Sequence, residues 1–314
     1  MRLRFLPAAA ALAAGTLLLA TPGLARAQTQ LPVDWDFGAG ALAGALFPST
    51  PPPGADNWNC RPSTAHPYPV ILVNGTFANQ DDNWQAASPL LANHGYCVFT
   101  FNYGGSGIIT STGDIATSAG QLGSFVTQVR NATGAARVDL VGHSQGGMMP
   151  RYYLKFDGGA QYVHTLVGLA PSNHGTTLDG LETLVSALGA IGLVNSAINA
   201  DCTACVQQEA GSAFLANLNA GGDTVPGVNY TVIESKDDEV VTPYTSAFLS
   251  GPGVTNITVQ NQCPLDASDH LEIAADPVAL ADMLNALDPS APVKVPCLVV
   301  LPVTGPITPV PSFL

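Results

Sequence analysis

Short apolar runs alternate along this chain with stretches whose apolar positions recur at helical spacing. Pro69-Val70-Ile71-Leu72-Val73 is apolar without a break, the pattern of a strand buried on both faces. Tyr96 to Phe101 predicts the next strand, and Leu122, Phe125, Val126 and Val129 predict a helix from about Ile115 to Val129. The run Val138–Val141 predicts a third strand, with a helix at once behind it through about Tyr153 and a kink at Pro150. Further strands are predicted over Tyr162–Leu169, Gly227–Glu234 and Thr255–Gln260. Asp276-Pro277, an N-cap followed by proline at the first helical position, starts a last helix through Leu280, Met283 and Leu287. This alternation predicts a mostly parallel sheet with helices on both faces.

Two regions break the pattern. Residues 28–67 carry Pro51-Pro52-Pro53-Gly54 and few apolar periodicities, so they are expected to be a loop-like N-terminal arm laid over the domain. Leu178, Leu181, Leu184, Val185, Leu188, Ile191 and Val194 recur at near-helical spacing, broken by Gly189 and Gly192. Residues 178–218 are therefore expected to form a helical cap or lid, with a packed helix that never moves as the equal alternative. The Pro-rich stretch 289–314 is expected to wrap the surface as a tail.

The chain starts Met1-Arg2-Leu3-Arg4, continues Ala/Leu-rich to Ala20 and reaches Ala25-Arg26-Ala27. A charged start, an apolar middle and an A-x-A triplet predict a secretory signal over residues 1–27. An N-terminal membrane anchor is the alternative, but the apolar run stops at Pro22-Gly23. No later segment is apolar for long enough to span a bilayer, so no stable membrane insertion is expected. Removing 27 of 314 residues leaves 287, a length that suits one α/β domain. Those residues carry 7 basic against 23 acidic side chains. A surface this acidic argues against nucleic acid, whose binding needs a basic footprint. A neutral or ester substrate is compatible, and a monomer is expected.

All six cysteines lie after the expected cleavage point, and an even count in a secreted chain predicts disulfides. Six cysteines can pair in fifteen ways. The nearest-in-sequence choice is Cys60–Cys97, Cys202–Cys205 and Cys263–Cys297. Zinc or redox chemistry at Cys202-x-x-Cys205 is the rival, with no histidine close by in sequence to complete a metal site.

The candidate chemistry centres on Gly142-His143-Ser144-Gln145-Gly146. A Gly-x-Ser-x-Gly between a strand and a helix fits a nucleophile elbow, which raises one serine on a strained turn. A serine hydroxyl is a poor nucleophile at neutral pH and needs a base and an orienting carboxylate. His270, between the last strand and the last helix, is the candidate base. The candidate acid lies in Glu234-Ser235-Lys236-Asp237-Asp238-Glu239, directly after a strand. The order Ser, Asp, His is that of an α/β-hydrolase scaffold. An oxyanion hole needs one N–H after the serine, which Gln145 supplies, and one from an early loop, for which Asn74-Gly75-Thr76-Phe77 is placed.

Val73-Asn74-Gly75-Thr76-Phe77-Ala78-Asn79, Gly142–Gly147, Ala170–Thr177, Asp238–Tyr244 and Asp269-His270 together resemble the secreted actinobacterial triacylglycerol lipases, of the class 2 lipase family of α/β-hydrolases. A weaker likeness is to fungal lipase B. The resemblance implies an α/β-hydrolase fold and ester hydrolysis of lipids at an oil–water interface, without cofactor or metal. It implies Ser144 as nucleophile, Asp238 rather than Asp237 as acid, His270 as base, and Thr76 and Gln145 at the oxyanion hole. One departure is Asn74, where that family usually has histidine; the side chain there is mainly structural. His174 lies in a family-typical segment and reads as structural. A polyesterase, a cutinase-like hydrolase or an acyltransferase could use the same residues. A catalytically dead hydrolase fold serving as a binding protein is the rival of a different class.

Overall fold

The computed structural model describes residues 30–107, 109–190, 202–312 and 314. The expected signal at 1–27 lies outside the described residues, as do 191–201 of the expected cap. Six strands, β1 (Val70–Val73), β2 (Val98–Thr100), β3 (Val138–His143), β4 (Val163–Leu169), β5 (Asn229–Glu234) and β6 (Val254–Thr258), form one sheet. The order is β2-β1-β3-β4-β5-β6, and every neighbouring pair is parallel. Helix α1 (Phe37–Ala45) precedes the sheet, the connections carry α2 (Ala87–Asn93), α3 (Ile115–Thr133), α4 (Gln145–Phe156), α5 (Leu178–Ala190), α6 (Thr203–Gln208) and α7 (Ala213–Asn219), and α8 (Val259–Gln262) and α9 (Pro277–Leu287) follow β6.

The unbroken apolar character of β1 has a direct cause. Val70 and Leu72 face a core shared with α1, α2 and α9, while Ile71 and Val73 face one shared with α3 and α4. Successive side chains of a strand point to opposite faces, so a sheet covered on both sides needs both sets apolar. Val70–Val73 are wholly buried, each contributing roughly 1.5–3 kcal/mol relative to exposure.

The helix ends follow local chemistry. Asp114 caps α3 by accepting the Thr117 N–H at 2.8 Å, and Gly134, at φ 78°, ends it. Asp276 caps α9 by accepting the N–H groups of Val278 and Ala279 at 2.9 and 3.1 Å. Each such cap typically adds about 1 kcal/mol. Helix α4 includes Pro150 and continues to Phe156.

Two expectations differ from the structure. The arm over 28–67 is not all loop, because Phe37–Ala45 is helical, capped by the Asp36 carboxylate on the Ala39 N–H at 2.8 Å. Its sequence FGAGALAGA has three glycines, which disfavour an isolated helix. Packing explains both the helix and the glycines. A methyl on Gly44 would come within 2.6 Å of the Asp82 backbone, so the helix can sit on that loop only without a side chain there. The last strand also ends sooner, at Thr258, and Val259–Gln262 forms one helical turn.

Cys60 is joined to Cys97, Cys202 to Cys205 and Cys263 to Cys297. The first bridge pins the arm beside β2. The last ties the tail, which also forms a small antiparallel pair, β7 (Val300–Leu301) with β8 (Gly305–Pro306). No described helix is long and apolar enough to cross a membrane.

Candidate active site

Strand β3 ends where Ser144 turns the chain into α4 with φ 54° and ψ −124°. A non-glycine residue held in such a region costs of order 1–3 kcal/mol and persists only where the surroundings enforce it. Here they do. A methyl on Gly142 would overlap the Gly146 carbonyl oxygen, and one on Gly146 would overlap that of Val73. Glycine at both positions therefore lets the turn close on itself and against β1. The Ser144 N–H is spent on the Leu169 carbonyl at 2.9 Å, which fixes the turn to β4.

The Ser144 hydroxyl lies 3.0 Å from His270 Nε2, and His270 Nδ1 lies 2.7 Å from Asp238 Oδ2. All three residues are buried. The other Asp238 oxygen accepts the N–H groups of Val240 and Val241 at 2.7 and 2.8 Å, which holds the carboxylate in place. Burial alone would raise the Asp238 pKa. The charge and hydrogen bond of His270, with the Val241 N–H and Glu234, outweigh burial and hold it below its ordinary value. Burial likewise pushes His270 down, but Asp238, Glu239 and Asp269 together carry it above its ordinary value. Asp237, by contrast, is exposed.

Thr76, on the loop after β1, faces the same point. Its hydroxyl oxygen accepts Gln208 Nε2 at 2.9 Å and Gln145 Nε2 at 3.4 Å. With both lone pairs engaged, its proton is free to point into the site. Gln208 ends α6 and is itself oriented by the Ser172 hydroxyl, which donates to Gln208 Oε1 at 2.8 Å. The Gln145 N–H is in the first turn of α4, where no intrahelical acceptor exists. Asn74 holds the loop, its Nδ2 donating to the Ala78 carbonyl at 2.7 Å and the Ser111 hydroxyl at 2.8 Å.

Several participants carry no sequence signal of their own. His143, a variable residue of the elbow motif, packs behind the His270 ring and donates from Nε2 to the His270 carbonyl at 2.8 Å. Burial, aided by the nearby His270, pushes its pKa down to about 3, so it stays neutral. Asn83 bonds His143 Nδ1 and accepts the Gly75 N–H at 2.7 Å, linking His143 to the loop after β1. Neither Asn83 nor Gln208 sits in a motif; each matters because the fold brings it back to the site. His174 lies apart, bonded to the Ser246 carbonyl at 2.9 Å and to Asp223 at 3.3 Å.

Above the serine the space is tight, a cavity of only about 10 Å³, lined among others by Phe37, Thr76, His270, Leu184 and Leu188. Leu184 and Leu188 come from α5 and are each 3% exposed. The helix turns Glu182 and Ser186 to solvent and Leu184 and Leu188 onto the site, so the serine is covered.

Among sequences, the class 2 lipase model matches residues 67–281. A triacylglycerol lipase of Burkholderia plantarii is 38% identical over 129 residues, 38% of this chain and 34% of that protein. A triacylglycerol lipase of Pseudarthrobacter phenanthrenivorans is 43% identical over 90 residues, 27% of each chain. The chain thus spans only about a quarter to a half of the length of the curated relatives it matches. Among solved structures, Aspergillus fumigatus lipase B aligns with a TM-score of 0.58 at 21% identity, over 81% of this chain and 61% of that one. Mature Bacillus licheniformis lipase BlEst2 aligns with a TM-score of 0.54 at 16% identity, over 73% and 94%. These likenesses show the α/β-hydrolase fold. With the family model covering more than half of the sequence, the chain belongs to the class 2 lipase family.

Proposed function

We propose that this protein is a secreted serine ester hydrolase acting on lipid esters, triacylglycerols among them, through an acyl-enzyme. The observation that carries the reading is the unbroken line from Ser144 Oγ to His270 Nε2 at 3.0 Å and from His270 Nδ1 to Asp238 at 2.7 Å, beneath an apolar cover. Ser144 Oγ attacks the ester carbonyl carbon while His270 Nε2 takes its proton. The carbonyl oxygen becomes an oxyanion, met by the N–H groups of Gln145 and Thr76 and by the Thr76 hydroxyl. Collapse expels the alcohol, which receives the proton from His270. Water, deprotonated by His270 in turn, then releases the fatty acid. Asp238 holds the imidazole in the tautomer that leaves Nε2 free to accept.

The leucine-lined cover supports a lipid substrate met at an oil–water interface over a bulky polyester, which needs an open serine. Charged start, apolar run and A-x-A triplet support export through residues 1–27, and the motifs resemble the actinobacterial lipases. Fluorophosphonate labelling tests the reading. The wild type should be labelled and hydrolyse nitrophenyl esters with a preference for longer acyl chains, and Ser144→Ala should do neither while remaining folded. Normal turnover by that variant would reject the proposal, and so would a wild type that resists the probe.

A further inference from the structure

The triad has a neighbour that neither motif nor spacing singles out. Glu234 is the last residue of β5 and is wholly buried. Its Oε1 accepts the Ser235 N–H at 2.9 Å, while Oε2 meets no N–H or O–H donor. The turn after β5, closed by the Asp238 N–H on the Ser235 carbonyl at 3.4 Å, folds the chain so that the Asp238 carboxyl group comes back beside that side chain. Two carboxylates cannot hydrogen-bond, and two charges this close in a buried site cannot both persist. One proton between them resolves both problems, because a neutral Oε2 becomes a donor with an acceptor at hand.

The surroundings decide which group keeps the proton. Asp238 receives three donors, from Val240, Val241 and His270. Glu234 receives one, from Ser235. Charge is stable where donors converge, so Asp238 is the anion and Glu234 the acid. The other groups facing this cluster do not reverse the choice. Glu239 and Asp269 are acidic and add negative potential at His270. His143, behind the base, stays neutral. Lys236 in the same loop is exposed and turns its ammonium to Asn261 at 2.9 Å.

We propose that Glu234 is a positioning residue, a neutral acid donating its Oε2 proton to Asp238. A carboxylate has about four acceptor sites, and this bond fills the fourth. Asp238 is then locked from every side and cannot turn away as charge develops on His270. The proposal rests on reading Asp238 as the triad acid.

Two variants and one spectrum test it. Glu234→Gln keeps a carbonyl for the Ser235 N–H, which turns its amide N–H groups toward Asp238. Because no charge changes, kcat should stay within about threefold and the acid limb of kcat/KM should not move. Glu234→Leu removes the donor. Its kcat should fall about tenfold or more at unchanged KM, and the acid limb should move to higher pH. Asp238, with one donor fewer, binds the His270 proton more strongly. Near neutral pH the infrared difference between wild type and Glu234→Gln should show the loss of one protonated carboxyl band. An acid limb that moves to lower pH in Glu234→Gln is the signature of removing an anion, and would overturn the proposal. So would an infrared difference without that band, and this readout serves even if the leucine variant does not fold. The spectrum also does not depend on catalysis. If the wild type resists fluorophosphonate, the triad reading fails on its own, while the spectrum still reports where the proton sits.

Discussion

Replacing Thr76 with valine removes one hydroxyl and nearly preserves shape, and the structure allows its cost to be worked out in advance. The oxygen accepts from two amides, so its loss could have left two buried donors unpaired. It does not. Gln208 Nε2 also reaches the Ala204 carbonyl at 3.2 Å, and Gln145 Nε2 reaches that of Ser111 at 2.6 Å. The fold should therefore lose little, and the effect should fall on catalysis. Removing one oxyanion donor costs on the order of 10²–10³ in kcat, or roughly 3–4 kcal/mol. On the proposed mechanism two backbone N–H groups remain, so the lower end, about 10²-fold, is expected. The bond strengthens as the carbonyl oxygen gains charge, so kcat should fall while KM stays close to wild type. Stopped assays on a soluble nitrophenyl ester would give both constants, with a thermal melt to confirm folding. Thr76→Ser, which restores the hydroxyl, should recover most of the rate. A folded Thr76→Val enzyme with full kcat would show that the hydroxyl does not face the oxyanion, and the site would rest on its two backbone donors.

Asp238→Asn should cost about 10⁴ in kcat because the histidine loses its tautomer partner, whereas Asp237→Asn, at an exposed position, should leave kcat/KM near wild type; the reverse ranking would shift the acid by one residue. Leu188→Ala should open the cover over Ser144, raising turnover of monomeric short esters and flattening any jump when substrate passes into emulsion; an unchanged substrate curve would favour a fixed helix. Glu272, whose Oε1 has no donor, is pushed up to about 10 by burial, with Asp276 and Asp269 adding to the effect. A group raised on folding stabilises fully below its unfolded pKa, near 4.5, and that stability drains as pH rises toward about 10. Glu272→Gln should therefore reduce the pH slope of unfolding free energy across that window by up to about 1.4 kcal/mol per pH unit. Urea melts at pH 5 and pH 8 would read it, and an unaltered slope would mean that Glu272 is ionised in the folded protein.

Local chemistry was enough to read the sheet and its elbow. Val70–Val73 and Val138–Val141 are apolar without a break because strands covered on both faces bury every side chain. Asp276-Pro277 marked α9 because capping and a fixed φ act within a few residues. Gly142 and Gly146 announced a tight turn because their constraint is steric and short-ranged. The order of Ser144, Asp238 and His270 along the chain then followed from where loops leave a parallel sheet. Tertiary structure decided what depends on distant partners. Helix α1 carries three glycines in nine residues, which hide it in the sequence; it is held in place because Gly44 lets it lie on Asp82. Asn83, Gln208 and Glu234 look like ordinary polar residues until the fold delivers them to His143, Thr76 and Asp238. The cover over Ser144 was legible as an amphipathic stretch, but only its docking showed that Leu184 and Leu188 face the serine. A side chain's burial, charge state and hydrogen-bond partner are properties of its surroundings, and those surroundings are assembled from segments far apart in sequence.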